Sequence, residues 1–190
     1  MNPEALTVTL LVTEILDAYH ILYVIGGSMA SIVYGTSRAT MDVDIVAEVN
    51  LTHVSGLVAA WEGQFYVDEL AVQQAIERRS SFSLIHLETM FKIDIFVPQA
   101  RAFDKQQLSR RVPGRVMNKT LWFLTAEDII LAKLDWFRLG GEVSERQWRD
   151  ILGILKTQQG RLDIPYLLKW AQQLELSDLF DSAMKVLDAG

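Results

Sequence analysis

Residues 24–45 read VIGGSMASIVYGTSRATMDVDI: a strand, a glycine turn, a short helix and an acidic strand in close succession. His20 to Ile25 has the apolar texture of a short buried strand, and it stops at Gly26-Gly27. Missing side chains there let an anion approach the backbone. Ser28 is placed to cap a helix over Met29 to Tyr34, which Gly35 ends, and a helix amino end offers N–H donors and a favourable dipole. Asp42 and Asp44 flank Val43 at the mouth of the next strand, Val43 to Val49. Residues two apart on a strand project to one face, so these two carboxylates can share hard cations.

Upstream, Leu6, Leu10, Ile15 and Leu16 fall near helical spacing and predict a helix over Leu6 to Tyr19. Downstream, a helix around Val54 to Trp61 precedes two alternating runs, Phe82 to Leu87 and Phe91 to Val97, broken at Glu88 to Met90 as in an antiparallel hairpin. In the second run Phe91, Ile93, Ile95 and Val97 share one face, leaving Lys92, Asp94 and Phe96 on the other. If this strand neighbours that of Asp42, three carboxylates meet. Each piece alone is common: an Asp-x-Asp pair arises by chance, Gly-Gly-Ser is an ordinary turn, and a lone hairpin Asp usually faces solvent. Their order in one chain is what points to a metal-assisted phosphate site.

Between Arg101 and Lys119 the charge is basic, with Lys105, Arg110, Arg111 and Arg115 against Asp104. The segment reads either as a solvated connection or as an edge facing phosphate or RNA. Pro98, Pro113 and Gly114 argue against a long sheet there, with one strand expected within Val116 to Leu124. At Thr125 the texture turns helical. Thr125-Ala-Glu-Asp128 resembles a capping box with Asp in place of Glu, ahead of Ile129, Ile130, Leu134 and Phe137. Gly140-Gly141 ends that helix, and further helical patterns follow over 145–156, 165–174 and 178–187. Residues 1–124 therefore read as a mixed α/β portion and 125–190 as a helical one. Of the tryptophans, those in helical patterns read as core or interface anchors, whereas Trp122, near the junction, is a candidate wall of a cleft.

The chain of 190 residues is half apolar, enough for one full core and not the composition of a disordered segment. It has no cysteine, which removes disulfide frameworks and thiolate metal sites; with His20, His53 and His86 the available histidines, any metal is expected to be held by oxygen. A net charge of −6 argues against a protein that coats duplex nucleic acid. No apolar run approaches a membrane span and the opening residues carry Glu4 and no base, so the expectation is a cytoplasmic protein without membrane contact.

The series Val24-Ile-Gly-Gly-Ser28, Asp42-Val-Asp-Ile45 and Ile93-Asp-Ile95 resembles the signature of the DNA polymerase β-like nucleotidyltransferase superfamily. Glu127-Asp-Ile-Ile-Leu-Ala-Lys133-Leu followed by Arg149-Asp150-Ile is similar to the helical block of bacterial AbiE-type toxin nucleotidyltransferases and their uncharacterised relatives, so the likeness covers nearly the whole chain. It implies an α+β nucleotidyltransferase fold, a mixed β-sheet flanked by helices followed by a C-terminal helical bundle, with a catalytic domain at 1–124 and a helical domain at 125–190. By the same resemblance Gly26, Gly27 and Ser28 form the turn that contacts the triphosphate, and Asp42 and Asp44 bind metal. Asp94 is then the third carboxylate, binding one metal and activating the attacking hydroxyl. Lys133 is expected on the nucleotide phosphates with Asp150 as a supporting acid, against the plain alternatives of a solvated helix lysine and an acid paired within the bundle. Arg38 steadies a phosphate or is an exposed loop arginine. The implied cofactor is Mg²⁺ and the co-substrate an NTP such as ATP, with a nucleoside monophosphate passing to a hydroxyl. Acceptors in the family include tRNA ends, proteins and hydroxylated antibiotics. One reading is a toxin of a toxin–antitoxin pair acting on tRNA; the alternative is a non-catalytic nucleotide-binding partner or antitoxin module. An antitoxin or a second copy of the chain would be the protein partner.

Overall fold

The computed structural model describes residues 3–35 and 42–188. The chain divides into two compact units, Met1–Met29 with Ala39–Phe123, and Ala30–Arg38 with Leu124–Gly190.

The first unit is built on a seven-stranded sheet of β1 (Tyr23–Ile25), β2 (Asp42–Ala47), β3 (Phe65–Tyr66), β4 (Ser81–His86), β5 (Lys92–Phe96), β6 (Val112–Val116) and β7 (Lys119–Phe123), in the order β3-β4-β5-β2-β1-β7-β6. The sheet is mixed: β2 runs parallel to β5 and β1 parallel to β7, the other neighbours being antiparallel. Strict alternation drives this arrangement. Val43, Ile45, Ala47, Ile93 and Ile95 are all 0% exposed on one face of β2 and β5, each large one contributing about 1.5–3 kcal/mol of burial. Helices α1 (Pro3–Ala18), α3 (Val54–Trp61) and α4 (Glu69–Arg78) complete that core, with Trp61 fully buried and its ring 6.3 Å from Phe82. Between β1 and β2, α2 (Gly27–Val33) follows Ile25 with the single residue Gly26 between them. Ser28, expected as a cap ahead of the helix, therefore lies inside its first turn.

The strand expected within Val116 to Leu124 is present as β7, while the rest of the basic stretch, read as a connection or a phosphate-facing edge, folds into α5 (Ala102–Arg110) and β6, which forms a hairpin with β7. Helix α5 hides Phe103 and Leu108 together with polar Asp104 and Gln107, and Asp104 pairs with Arg101 at 3.1 Å. Its hairpin turns on Met117 and Asn118, with φ of 48° and 65°, the paired left-handed geometry that matches strand twist. Pro113 is tolerated because β6 is an edge strand. Gly114 is required by close approach: a Cβ there would meet the Phe123 ring at 2.6 Å.

The second unit packs α6 (Ala126–Leu139), α7 (Glu145–Thr157), α8 (Ile164–Gln173) and α9 (Ser177–Asp188) around Ile130, Leu134, Ile151, Leu155, Leu167 and Phe180. The expected cap at Thr125 is present, its hydroxyl accepting the Asp128 N–H at 3.2 Å, while the buried Asp128 carboxylate takes the Tyr166 hydroxyl at 2.5 Å. Tyr34, of the segment that joins this unit, donates to the Leu124 carbonyl at 3.0 Å. Its phenol is pushed up to about 12, by burial first and then by the charges of Glu127 and Asp128. Arg138 of α6 grips Asp178 of α9 at 2.7 Å. Among the described residues no helix is long and apolar enough to cross a membrane.

Candidate active site

The expected neighbours are neighbours. In the parallel β2–β5 register Asp42 faces Lys92 and Asp44 faces Asp94, so all four side chains stand on the face opposite the apolar core. Register follows from burial: a slip by one residue would put Asp42, Asp44 and Asp94 into the core and Val43, Ile45 and Ile93 on the surface. Across β4, Ser83 pairs with Asp94, and its hydroxyl donates to Asp94 Oδ1 at 2.6 Å, fixing that carboxylate's rotation.

The glycine turn abuts the same group. Gly26 N–H donates to the Asp44 carbonyl at 2.9 Å. Gly27 has φ +54°, and a Cβ built on it would lie 1.7 Å from Asp44 Oδ2. Glycine is thus needed twice, for the left-handed backbone and to leave room for the carboxylate.

Alternation places Lys92 on this face without suggesting a role for it. Its ammonium pairs with Asp94 Oδ2 at 2.7 Å while the side chain stays 46% exposed. Lys92 is held protonated above the ordinary lysine range, first by the hydrogen bond to Asp94, against a cost of partial burial, with the charges of Asp94, Asp42 and Asp44 adding to it. The readable signal is Lys-x-Asp on a strand, the spacing that puts a cation and an acid side by side. Ser83, which no local pattern marks, becomes visible only once the β4–β5 register is known.

The donor set suits Mg²⁺: carboxylate oxygens, no soft ligand, in a place where a cation already stands in as an ammonium. As the side chains stand, no three His, Cys, Asp or Glu residues among those described form a ready metal cluster.

Of the other expected residues, Gly26, Gly27 and Ser28 lie at the start of α2, whereas Arg38 lies outside the described residues. Lys133 and Asp150 meet within the helical unit, Nζ to Oδ2 at 2.9 Å, with side chains 12% and 13% exposed. This pairing is the plain alternative given for Asp150, an acid paired within the bundle, and Lys133 is its largely buried partner and not a solvated helix lysine. Trp122 lies under the Arg111 guanidinium, 4.7 Å from its ring, and lines a shallow hollow with Thr13, Glu14 and Asp17.

No family model matches the chain, and no curated protein matches it. Solved structures do. An antigenic nucleotidyltransferase-like protein from Paracoccidioides brasiliensis is 17% identical with a TM-score of 0.59, over 97% of this chain and 94% of that one. The antibiotic-resistance factor ANT(2'')-Ia is 15% identical with a TM-score of 0.56, over 100% of this chain and 97% of that one. The lincosamide antibiotic adenylyltransferase LnuA, solved with lincomycin bound, is 14% identical with a TM-score of 0.53, over 83% of this chain and 98% of that one. At these identities the likeness is one of architecture, and it establishes that this chain has the nucleotidyltransferase fold.

Proposed function

We propose that this protein is a nucleotidyltransferase that moves a nucleoside monophosphate from an NTP to a hydroxyl acceptor, with Asp42, Asp44 and Asp94 holding Mg²⁺. The observation that carries this reading is the β2–β5 register, which sets Asp44 beside Asp94 with Asp42 on the same face, next to a turn whose Gly27 makes room for Asp44. When bound, Mg²⁺ supplies charge neutralisation on the phosphoryl and leaving oxygens and a template for in-line attack. The chain's own residues do the rest. Asp42 and Asp44 hold their carboxylates at one strand mouth, and Gly26, Gly27 and Ser28 bring backbone toward the triphosphate. Asp94, oriented by Ser83, takes the proton of the acceptor hydroxyl as that oxygen bonds to the α-phosphorus. The bond from the α-phosphorus to the bridging oxygen breaks, and pyrophosphate leaves. Lys133 and Asp150 belong to the proposal as nucleotide-binding residues on the strength of the resemblance, and Arg38 by its place in the sequence between the glycine turn and Asp42.

Of the neighbours of this fold, one is an antibiotic adenylyltransferase and another an antibiotic-resistance factor by name, which supports a small hydroxylated acceptor. The AbiE-type likeness of Glu127 to Leu134 and Arg149 to Ile151 supports the other acceptor, tRNA, with the protein a toxin under an antitoxin's control. Incubating the protein with each labelled NTP and separate RNA, protein and small-molecule extracts decides the matter. Label in the small-molecule or RNA fraction names the acceptor class. ATP and Mg²⁺ binding with no labelled fraction would replace the enzyme reading by the non-catalytic nucleotide-binding or antitoxin module.

A further inference from the structure

On one face of β2 and β5 stand three carboxylates, which repel one another unless a cation lies among them. Lys92 meets that need from within the chain. It starts opposite Asp42, two residues before Asp94, and reaches along the strand to Asp94 Oδ2 at 2.7 Å. Asp94 is 16% exposed and is held on its other oxygen by Ser83, so it is an anchored acceptor. Lys92 is not anchored in the same way. Its side chain is 46% exposed, so it can swing out without leaving a cavity behind.

We propose that Lys92 is an exchangeable counter-ion of the acidic face formed by Asp42, Asp44 and Asp94: it occupies Asp94 in the metal-free protein, gives way to the divalent ion, and then pairs with the phosphates of the arriving nucleotide. This rests on the metal-carboxylate reading above and adds a consequence to it. Metal alone must displace an ammonium and leave it without its partner, whereas metal with nucleotide supplies that ammonium with a new anion. Lys92 is thus a positioning residue that couples metal binding to nucleotide binding, so that the site fills when both are present.

The test is Mn²⁺ binding to the full chain, read from the loss of the free-ion electron paramagnetic resonance signal, with and without a non-hydrolysable ATP analogue. Wild type is expected to bind Mn²⁺ weakly alone and tightly with the analogue. In Lys92→Met, Mn²⁺ alone should bind about tenfold tighter or more, and the gain from the analogue should shrink by a similar factor, because a unit charge a few ångströms away has been removed. Lys92→Arg keeps the charge and should behave as wild type. Equal Mn²⁺ affinity in wild type and Lys92→Met, or Lys92→Arg matching Lys92→Met, overturns the exchange. Asp94→Asn separates the two levels: loss of Mn²⁺ binding there with no effect of Lys92→Met removes the exchange alone, whereas unchanged Mn²⁺ binding in Asp94→Asn removes the carboxylate reading and the exchange together. Should Lys92→Met not fold, the ε-carbon resonance of Lys92 in labelled wild type provides an independent readout. It must shift when Mg²⁺ is added, and a resonance that stays still overturns the proposal.

Discussion

Replacing Gly27 by alanine tests the junction of turn and carboxylate with a single methyl group. The backbone there sits at φ +54°, a conformation that costs an L-residue about 1–2 kcal/mol relative to glycine. The new Cβ would lie 1.7 Å from Asp44 Oδ2 and 2.7 Å from its Cγ. Asp44 is a side chain and can move, so the overlap is relieved by pushing the carboxylate back by roughly 1.5 Å and not by unfolding the sheet. Gly27→Ala should therefore lose only about 1–2 kcal/mol in urea denaturation, while nucleotidyl transfer falls about 10²-fold or more, the scale expected for an ångström of misplacement at a reacting centre. The assay is pyrophosphate release from labelled NTP in the presence of the acceptor fraction, beside a denaturation curve on the same preparation. A Gly27→Ala protein with turnover within about threefold of wild type would refute the claim that this turn and Asp44 form one site.

Two further consequences concern stability. Asp150→Ala leaves the Lys133 ammonium without its 2.9 Å partner at a largely buried position and should cost about 3 kcal/mol in denaturant unfolding; the Lys133→Met, Asp150→Leu double variant should recover much of that, and a double variant no better than the single would refute the pairing's role in the helical unit. Tyr23 and Tyr34 are each pushed up to about 12, both chiefly by burial, whereas the unfolded phenol ionises near 10. The folded state then keeps protons that the unfolded state gives up, so their contribution is complete below pH 10 and is lost as the pH rises from about 10 to about 12. Tyrosinate absorbance should show two late-titrating phenols whose ionisation coincides with unfolding, and Tyr34→Phe should remove one of them.

The sheet strands with strict alternation were readable because one face must be buried. Hence Phe91, Ile93, Ile95 and Val97 predicted both a strand and the outward direction of Asp94, and Thr125 predicted the start of α6 by its hydroxyl. Helices with thin apolar stripes were not readable. Helix α4 buries Val72 and Ala75 alone, and its clearest cue is Asp68, whose carboxylate accepts the Leu70 and Ala71 N–H groups. Helix α5 places Asp104 and Gln107 on its buried side, so its charge pattern reads as a connection. Strand β6 carries Pro113 and Gly114, residues that demote a strand unless, as here, it lies at an edge and crosses an aromatic ring closely.

Of the candidate site, the residue types and their faces were legible, since both follow from local periodicity. Strand order was not, because the pairing of β2 with β5 joins segments separated by two α-helices and two strands, β3 and β4. The role of Ser83 depends on the β4–β5 register, whereas that of Lys92 follows from its spacing to Asp94 on one strand. The association of residues 30–35 with the helical unit is marked by no pattern in the sequence.

Asp44 carries the central claim, since it touches the glycine turn and faces Asp94 across the strand pair. The most direct test is pyrophosphate release by Asp44→Ala against wild type, with the acceptor fraction and Mg²⁺ present and folding checked by circular dichroism. Abolished release in a folded variant is the predicted result; turnover retained in the absence of that carboxylate would contradict it.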